Sequence, residues 1–143
     1  MSVHERVYDL PPEDELRQLV ATALTTGHPT AIRYPRGAGY GVALDPEPKI
    51  LPVGKGEALR VGKDGVVFAI GDPVLPALNA AERLAAEGGA SLSVVNARWV
   101  KPIDTELVAQ FARAGTTVIT VEENAVAGGF GSAVSEALDA LGI

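Results

Sequence analysis

The chain has 143 residues, of which 47% are hydrophobic, so it can form one compact domain or one domain with part of another. Its net charge of -6 argues against general attraction to nucleic acid or to anionic membranes. Cysteine is absent, which excludes disulfides and thiolate chemistry. The sequence shows neither a signal peptide nor an apolar window long enough to span a membrane, so we expect a cytoplasmic protein.

The first predicted element is an amphipathic helix over residues 13–26, where leucines and valines recur at helical spacing. Thr30 to Tyr34 is predicted to be a strand. Because the chain begins close to the helix, we expect no strand before it and no intramolecular neighbour for the strand. We assign residues 1–36 to the end of one domain.

Residues 37–54 are rich in proline and glycine and are predicted to form a linker. Residues 55–143 then alternate strands with short capped helices, which predicts an α/β fold in three αβα layers around a mostly parallel sheet. We expect this second domain to be truncated after its last helix. The predicted strands are an edge strand Glu57–Val61, buried strands 66–70 and 116–121, and a strand 92–95. The predicted helices are one with Asp72 at its N-cap and Pro73 at its first position, one capped by Asp104 and reaching Gly115, and one over 132–141.

Two arginines stand where the first strand ends, in the stretch T-A-I-R-Y-P-R-G. At the carboxyl end of a strand, a guanidinium offers a planar fork that matches phosphate or carboxylate oxygens. Residues three apart in a strand point to opposite faces, so Arg33 and Arg36 reach one anion only if the chain bends at Pro35. The alternative is an ion pair with one of the 18 acids.

The stretch V-E-E-N-A-V-A-G-G-F-G-S follows a strand and opens the last helix. Its spacing does not match a complete dinucleotide-binding glycine motif, so nucleotide binding is the weaker interpretation and close backbone packing the stronger one. Glu122 and Glu123 are adjacent, and adjacent strand residues project to opposite sides, so a cap or an interface contact is favoured over acid-base catalysis. The glycines concerned are Gly128, Gly129 and Gly131.

A third stretch, N-A-R-W-V-K-P-I-D, holds the only tryptophan. Basic and aromatic side chains that alternate can bind single-stranded nucleic acid, but one aromatic in an acidic chain is weak support, and we predict that Trp99 is a buried anchor. His4 and His28 are not spaced as metal ligands. We therefore assign no catalytic, cofactor-binding or metal-binding residue to the chain.

Taken in order, these blocks resemble the last third of the 1-deoxy-D-xylulose-5-phosphate synthases, which belong to the transketolase group of thiamine diphosphate enzymes. The resemblance covers Asp14 to Leu141, nearly the whole chain. The blocks are A-I-R-Y-P-R-G, L-P-V-G-K-G-E, V-V-N-A-R-W-V-K-P-I-D and V-E-E-N-A-V-A-G-G-F-G-S.

The resemblance implies a homodimeric transferase that joins pyruvate to glyceraldehyde 3-phosphate with loss of carbon dioxide, using thiamine diphosphate and magnesium, for isoprenoid, thiamine and pyridoxal synthesis. It implies that residues 1–36 end the pyrimidine-binding domain and that 55–143 form the transketolase C-terminal domain. The family's Y-P-R-G arginine lies at the substrate phosphate. Arg36 and Tyr34 are thus expected to bind substrate, Arg33 to be structural, and Glu123 with the three glycines to form a subunit contact.

The chain also departs from this family, because it has no G-D-G motif with a downstream asparagine, the group's magnesium-diphosphate signature. We expect the chain alone to bind no cofactor and to be inactive until the remaining segments of the enzyme are supplied. Two alternatives stay open at this point. One is the β subunit of a 2-oxoacid dehydrogenase, and the other is a non-catalytic module for nucleotide binding or dimerisation.

Overall fold

The computed structural model of the protein describes residues 6–9, 13–34, 36, 41, 43–113 and 115–143. Of the predicted linker, the described residues 41 and 43–54 contain neither helix nor strand. None of the described helices is both long and apolar enough to cross a bilayer. The elements are β1 Arg6–Asp9, α1 Glu13–Thr25, β2 Thr30–Arg33, β3 Glu57–Arg60, β4 Gly65–Ala69, α2 Val74–Ala86, β5 Leu92–Asn96, β6 Trp99–Lys101, α3 Thr105–Phe111, β7 Val118–Val121 and α4 Phe130–Leu141.

Four strands form the main sheet in the order β3-β5-β4-β7. β4 runs parallel to β5 and to β7, while β3 pairs antiparallel with β5 at one edge. The predicted mostly parallel sheet and the predicted edge strand β3 are therefore confirmed.

Helices cover both faces of this sheet because successive residues of β4 point to opposite sides. Val67 packs with Ala81 of α2 on one face. Phe68 packs with Val108 of α3 and Phe130 of α4 on the other. The central strand is buried along its whole length, as the apolar run predicted. The three αβα layers are confirmed.

A second sheet has the order β2-β1-β6 and corrects the expectation that no strand precedes α1. β1 runs parallel to β2, and β6 pairs antiparallel with β1. β1 has only four residues, R-V-Y-D, too few to show a strand period by themselves. Its partner β6, Trp99–Lys101, is distant in the sequence, so local sequence carries no sign of the pairing.

Trp99 begins β6 and is fully buried against Leu19 of α1 and Leu51. The predicted buried anchor is confirmed. Because the indole contacts both the N-terminal helix and Leu51 of the linker, it joins these two parts of the chain to the three-stranded sheet.

The ends of the helices agree with prediction in one case and differ in three. Asp104 caps α3, and its Oδ1 accepts a hydrogen bond from the Leu107 amide at 3.1 Å. Asp72 does not cap α2, because Pro73 takes the N-cap position and leaves the aspartate one residue outside the helix. In addition, α3 ends at Phe111 rather than near Gly115, and α4 begins two residues earlier than predicted.

The last strand, predicted to be buried, is in fact partly exposed. β7 lies at the edge of the main sheet, and Ile119 in its middle is 40% exposed. Its run of β-branched residues predicted a strand correctly, but the position of a strand within a sheet depends on which neighbours reach it.

Candidate functional site

Arg36 lies three residues beyond the end of β2 and has an exposed side chain. None of the acidic residues within the described part of the chain forms an ion pair with it. The alternative of a local ion pair therefore gains no support from these residues. Tyr34, between β2 and Arg36, is also exposed, at 66% of its full surface. The guanidinium and the phenol are accessible to a ligand from solvent.

Arg33, the last residue of β2, contacts the loop that follows β7. Its guanidinium donates a hydrogen bond to the side-chain oxygen of Asn124, 91 positions along the chain. The end of β2 and the stretch V-E-E-N, which the sequence indicated separately, are thus neighbours in space. Arg33 makes a contact within the protein, in line with the structural role expected for it.

The loop after β7 is anchored to α4 through Glu122. Its two carboxylate oxygens accept hydrogen bonds from the Phe130 and Gly131 amides, both at 2.8 Å. The predicted capping role of Glu122 is confirmed. Because these first amides of the helix already bind a carboxylate, they are not open donors for a nucleotide phosphate. The nucleotide-binding alternative is therefore weakened at this turn.

Two of the glycines in this turn are required by close packing within the chain. A Cβ on Gly129 would lie 2.2 Å from the Ala125 carbonyl oxygen, and one on Gly131 would lie 2.8 Å from Thr120 Oγ1. The predicted packing role is confirmed for both. It is wrong for Gly128, where an added Cβ would meet nothing within 4 Å. Gly128 and Glu123 are exposed, and their expected part in a subunit contact stays a prediction.

A cleft of about 490 Å³ opens beside the same loop, lined in part by Glu122, Asn124, Ser132 and Ser135. Ser132 is held in place, since its hydroxyl accepts from the Gly128 amide at 2.9 Å. The cleft thus presents fixed polar groups close to the point where β2 meets the loop.

The carboxyl end of β5 holds a polar cluster, formed by Glu15, Glu57, Asn96 and Arg98 and called here the Glu15–Arg98 cluster. Its members are largely buried except Glu57, whose side chain is 50% exposed. Asn96 Nδ2 donates to Glu15 Oε2 at 3.0 Å, and the guanidinium of Arg98 donates to Glu15 and Glu57. Asn96 is 3% and Glu15 is 9% exposed. α1 therefore covers the sheet edge where open α/β folds usually present a ligand crevice.

Arg98 is consequently not available to nucleic acid, since its charge is used inside the molecule and its neighbour Trp99 is buried. Its backbone adopts φ 57°, a left-handed conformation that is uncommon for residues other than glycine. The Arg98 amide donates to Asn96 Oδ1 at 3.1 Å, which helps to hold this conformation. The aromatic-basic pattern is thus structural.

Two residues of these contacts were missed by sequence reasoning. No contact was predicted for Glu15 or for Asn124. Their residue types carried no further signal, because their partners lie 83 and 91 positions away.

Metal ligands are not grouped in the described part of the chain, where no three His, Cys, Asp or Glu side chains are placed to hold an ion. His28 is exposed, and His4 lies outside the described residues.

Comparison with known proteins identifies relatives over most of the chain. 1-Deoxy-D-xylulose-5-phosphate synthase 1 of Geobacter metallireducens is 55% identical over 131 residues, which are 92% of this chain and 21% of that protein. The synthase of Thermomicrobium roseum is 51% identical over 132 residues, again 92% of this chain and 21% of that protein. The chain thus spans about a fifth of the length of these curated relatives.

Solved structures give the same fold. A structure titled "Split gene transketolase, inactive beta4 tetramer" superposes with a TM-score of 0.78 at 34% identity, over 96% of this chain and 45% of that one. A Pichia stipitis transketolase superposes with a TM-score of 0.58 at 17% identity, over 87% of this chain and 19% of that one, which shows the fold alone.

The family described as "Transketolase, C-terminal domain" matches residues 54–142, which include the whole four-stranded sheet and its three helices. With the fold, the sequence match and the relatives in agreement, the chain belongs to the transketolase C-terminal domain family.

Proposed function

We propose that the chain is the C-terminal part of a 1-deoxy-D-xylulose-5-phosphate synthase, in which Arg36 binds the phosphate of glyceraldehyde 3-phosphate. The observation that carries this proposal is the exposed guanidinium of Arg36 at the end of β2, with no ion pair to a described acid. The relatives named as this synthase, at 50% identity and above, support the reaction class.

The chemistry agrees with the geometry. A triose phosphate carries a dianionic group at the end away from its reacting aldehyde, so a guanidinium fixed at a distance from the chemistry holds the substrate without taking part in bond formation. Tyr34 is exposed two residues earlier, where its hydroxyl can donate to the same phosphate. Both groups therefore serve substrate binding and not bond making.

The described residues do not fit thiamine diphosphate and magnesium, the cofactors of this enzyme group. A diphosphate needs open amide donors or a metal held by carboxylates, whereas the first amides of α4 already bind Glu122 and the described residues contain no metal-ligand group. In this proposal, other polypeptide binds the cofactor, and the chain alone does not turn over pyruvate.

A chimera tests the proposal. The matching segment of the Geobacter metallireducens synthase is replaced by this chain, and Arg36→Met is introduced. We expect KM for glyceraldehyde 3-phosphate to rise ~10- to 100-fold, the effect of losing a hydrogen bond between charged groups, with KM for pyruvate unchanged. Arg113→Met, an exposed arginine at the opposite end of the main sheet, serves as control. An unchanged KM in the Arg36 variant would refute the substrate role.

We also propose that the chain associates with further polypeptide, including a second copy of itself, through the turn after β7. Val126 in this turn is 94% exposed, and it stands near Glu123 and Gly128, which were expected at a subunit contact. The similarity to a split-gene transketolase described as a β4 tetramer supports self-association. In sedimentation experiments, Val126→Asp should weaken association, and an unchanged distribution of species would argue against this surface.

A further inference from the structure

The contact between Arg33 and Asn124 joins two exposed side chains that local structure does not bring together. Arg33 ends β2, where its partner in the sheet is Asp9 of β1. Beyond this residue the chain leaves the sheet, and Arg36 follows three positions later. The Asn124 contact is therefore the last one described on β2 before the proposed phosphate-binding arginine.

Asn124 is in turn attached to a rigid part of the molecule. It lies two residues after Glu122, whose carboxylate binds the first two amides of the 12-residue helix α4. α4 packs through Phe130 and Val134 into the core beneath the main sheet. A continuous line of contacts thus leads from that core through Glu122 and Asn124 to Arg33.

From this geometry we propose that Arg33 and Asn124 are positioning residues for Arg36, so that the domain following the linker sets the place of the substrate phosphate without touching it. The inference rests on the proposed function of Arg36. Because the Arg33 guanidinium donates to Asn124 within the protein, the proposed role is to fix the end of β2, from which the chain continues to Arg36.

The expected change in KM follows from the exposure of the Arg33–Asn124 contact. Water competes for an exposed hydrogen bond, so its loss changes binding only modestly. In the chimera described above, we expect Arg33→Met or Asn124→Leu to raise KM for glyceraldehyde 3-phosphate by about three- to tenfold, with KM for pyruvate and kcat unchanged. The double variant should raise KM by less than the two single effects combined, because each single change already removes the Arg33–Asn124 contact. Asn124→Asp keeps an acceptor for Arg33 and should restore KM.

Matched controls separate this contact from general surface effects. Arg113→Met matches the change at Arg33, and Asn79→Leu, on the exposed side of α2, matches the change at Asn124; both should leave KM unchanged. An equal rise in KM for both substrates would indicate a general structural role and overturn the inference. Additive effects of the two single changes would overturn it as well.

Failure of this inference can be told apart from failure of the proposed function. If Arg36→Met raises KM and Arg33→Met does not, only the positioning role is refuted. If Arg36→Met has no effect, the proposed function is refuted.

Amide hydrogen exchange on the 143-residue chain gives a second measurement that needs no activity. Asn124→Leu should speed exchange at residues 32–34 while β4 stays protected, and unchanged exchange there would contradict the contact.

Discussion

Two polar side-chain contacts between the N-terminal unit, defined as β1, α1 and β2, and the part of the chain after the linker differ in burial and in the charge of the acceptor. The Glu15–Arg98 cluster is largely buried at the carboxyl end of β5. The Arg33–Asn124 contact is exposed at the end of β2. Both use an arginine as the donor, but the acceptor is a charged carboxylate in the cluster and a neutral amide oxygen at the exposed contact.

Burial determines what each contact contributes. In the cluster, removal of one partner leaves a charge without compensation in a poorly hydrated place, which is costly. At the exposed contact water replaces the missing partner, so its loss changes local position more than stability. The buried contact is thus suited to holding the two parts together, and the exposed one to adjusting a binding residue.

The largest expected effect is at Arg98. Its side chain is 15% exposed, and Arg98→Met would leave the Glu15 carboxylate with only Asn96 as a partner. We expect a loss of about 3 kcal/mol in the free energy of unfolding, measured by urea denaturation. A loss below about 1 kcal/mol, typical of exposed ion pairs, would remove the distinction between the two contacts. Arg113→Met is the matched control.

The next largest effect on the free energy of unfolding is expected at a buried carboxylate whose partners all lie after the linker. Asp104 is 8% exposed, caps α3, and accepts from the Gly56 amide at 3.1 Å, all within the transketolase C-terminal domain. Asp104→Ala should cost about 1–2 kcal/mol in the free energy of unfolding. Glu136→Ala, an exposed change on α4, should have little effect. Equal losses in the two variants would contradict the role given to the cap.

A smaller effect is expected at the exposed contact. Asn124→Leu should lower the free energy of unfolding by about 0.5 kcal/mol or less, as for most surface changes, although it alters KM in the chimera. Urea denaturation of this variant beside Arg98→Met gives the comparison directly. A loss as large as that of Arg98→Met would show that exposure does not separate the contacts.

The smallest effect concerns Lys55, whose ion pairs with Glu106 and Asp104 are exposed at the lysine end. The hydrogen bond to Glu106 raises the pKa of Lys55 above its ordinary value of 10.5. Its stabilising contribution is therefore present below pH 10.5 and lost as pH rises through the higher folded pKa. NMR titration should show this raised pKa, and Glu106→Gln should lower it; no change in that variant would contradict the pairing.

Prediction from sequence succeeded where the interactions are local. The helices predicted over 13–26, from Pro73 onward and over 132–141 are present, and Asp104 caps a helix as expected. It failed at β1, whose partners β2 and β6 come from different parts of the chain, and at the exposure of β7. Of the candidate site, the position of Arg36 just beyond a strand was predicted and its substrate role stays a proposal, whereas the contact of Asn124 was not predicted.

The amino-acid sequence by itself determined most of the strands and helices and the mostly parallel sheet, because periodicity, caps and turns act over a few residues. The family was indicated by the resemblance of its motif blocks. Only the tertiary structure decided that Glu15 meets Arg98 and that Arg33 meets Asn124, pairs separated by 83 and 91 positions. The physical reason is that a charged or amide side chain can serve many partners, and the packing of the sheets selects one of them.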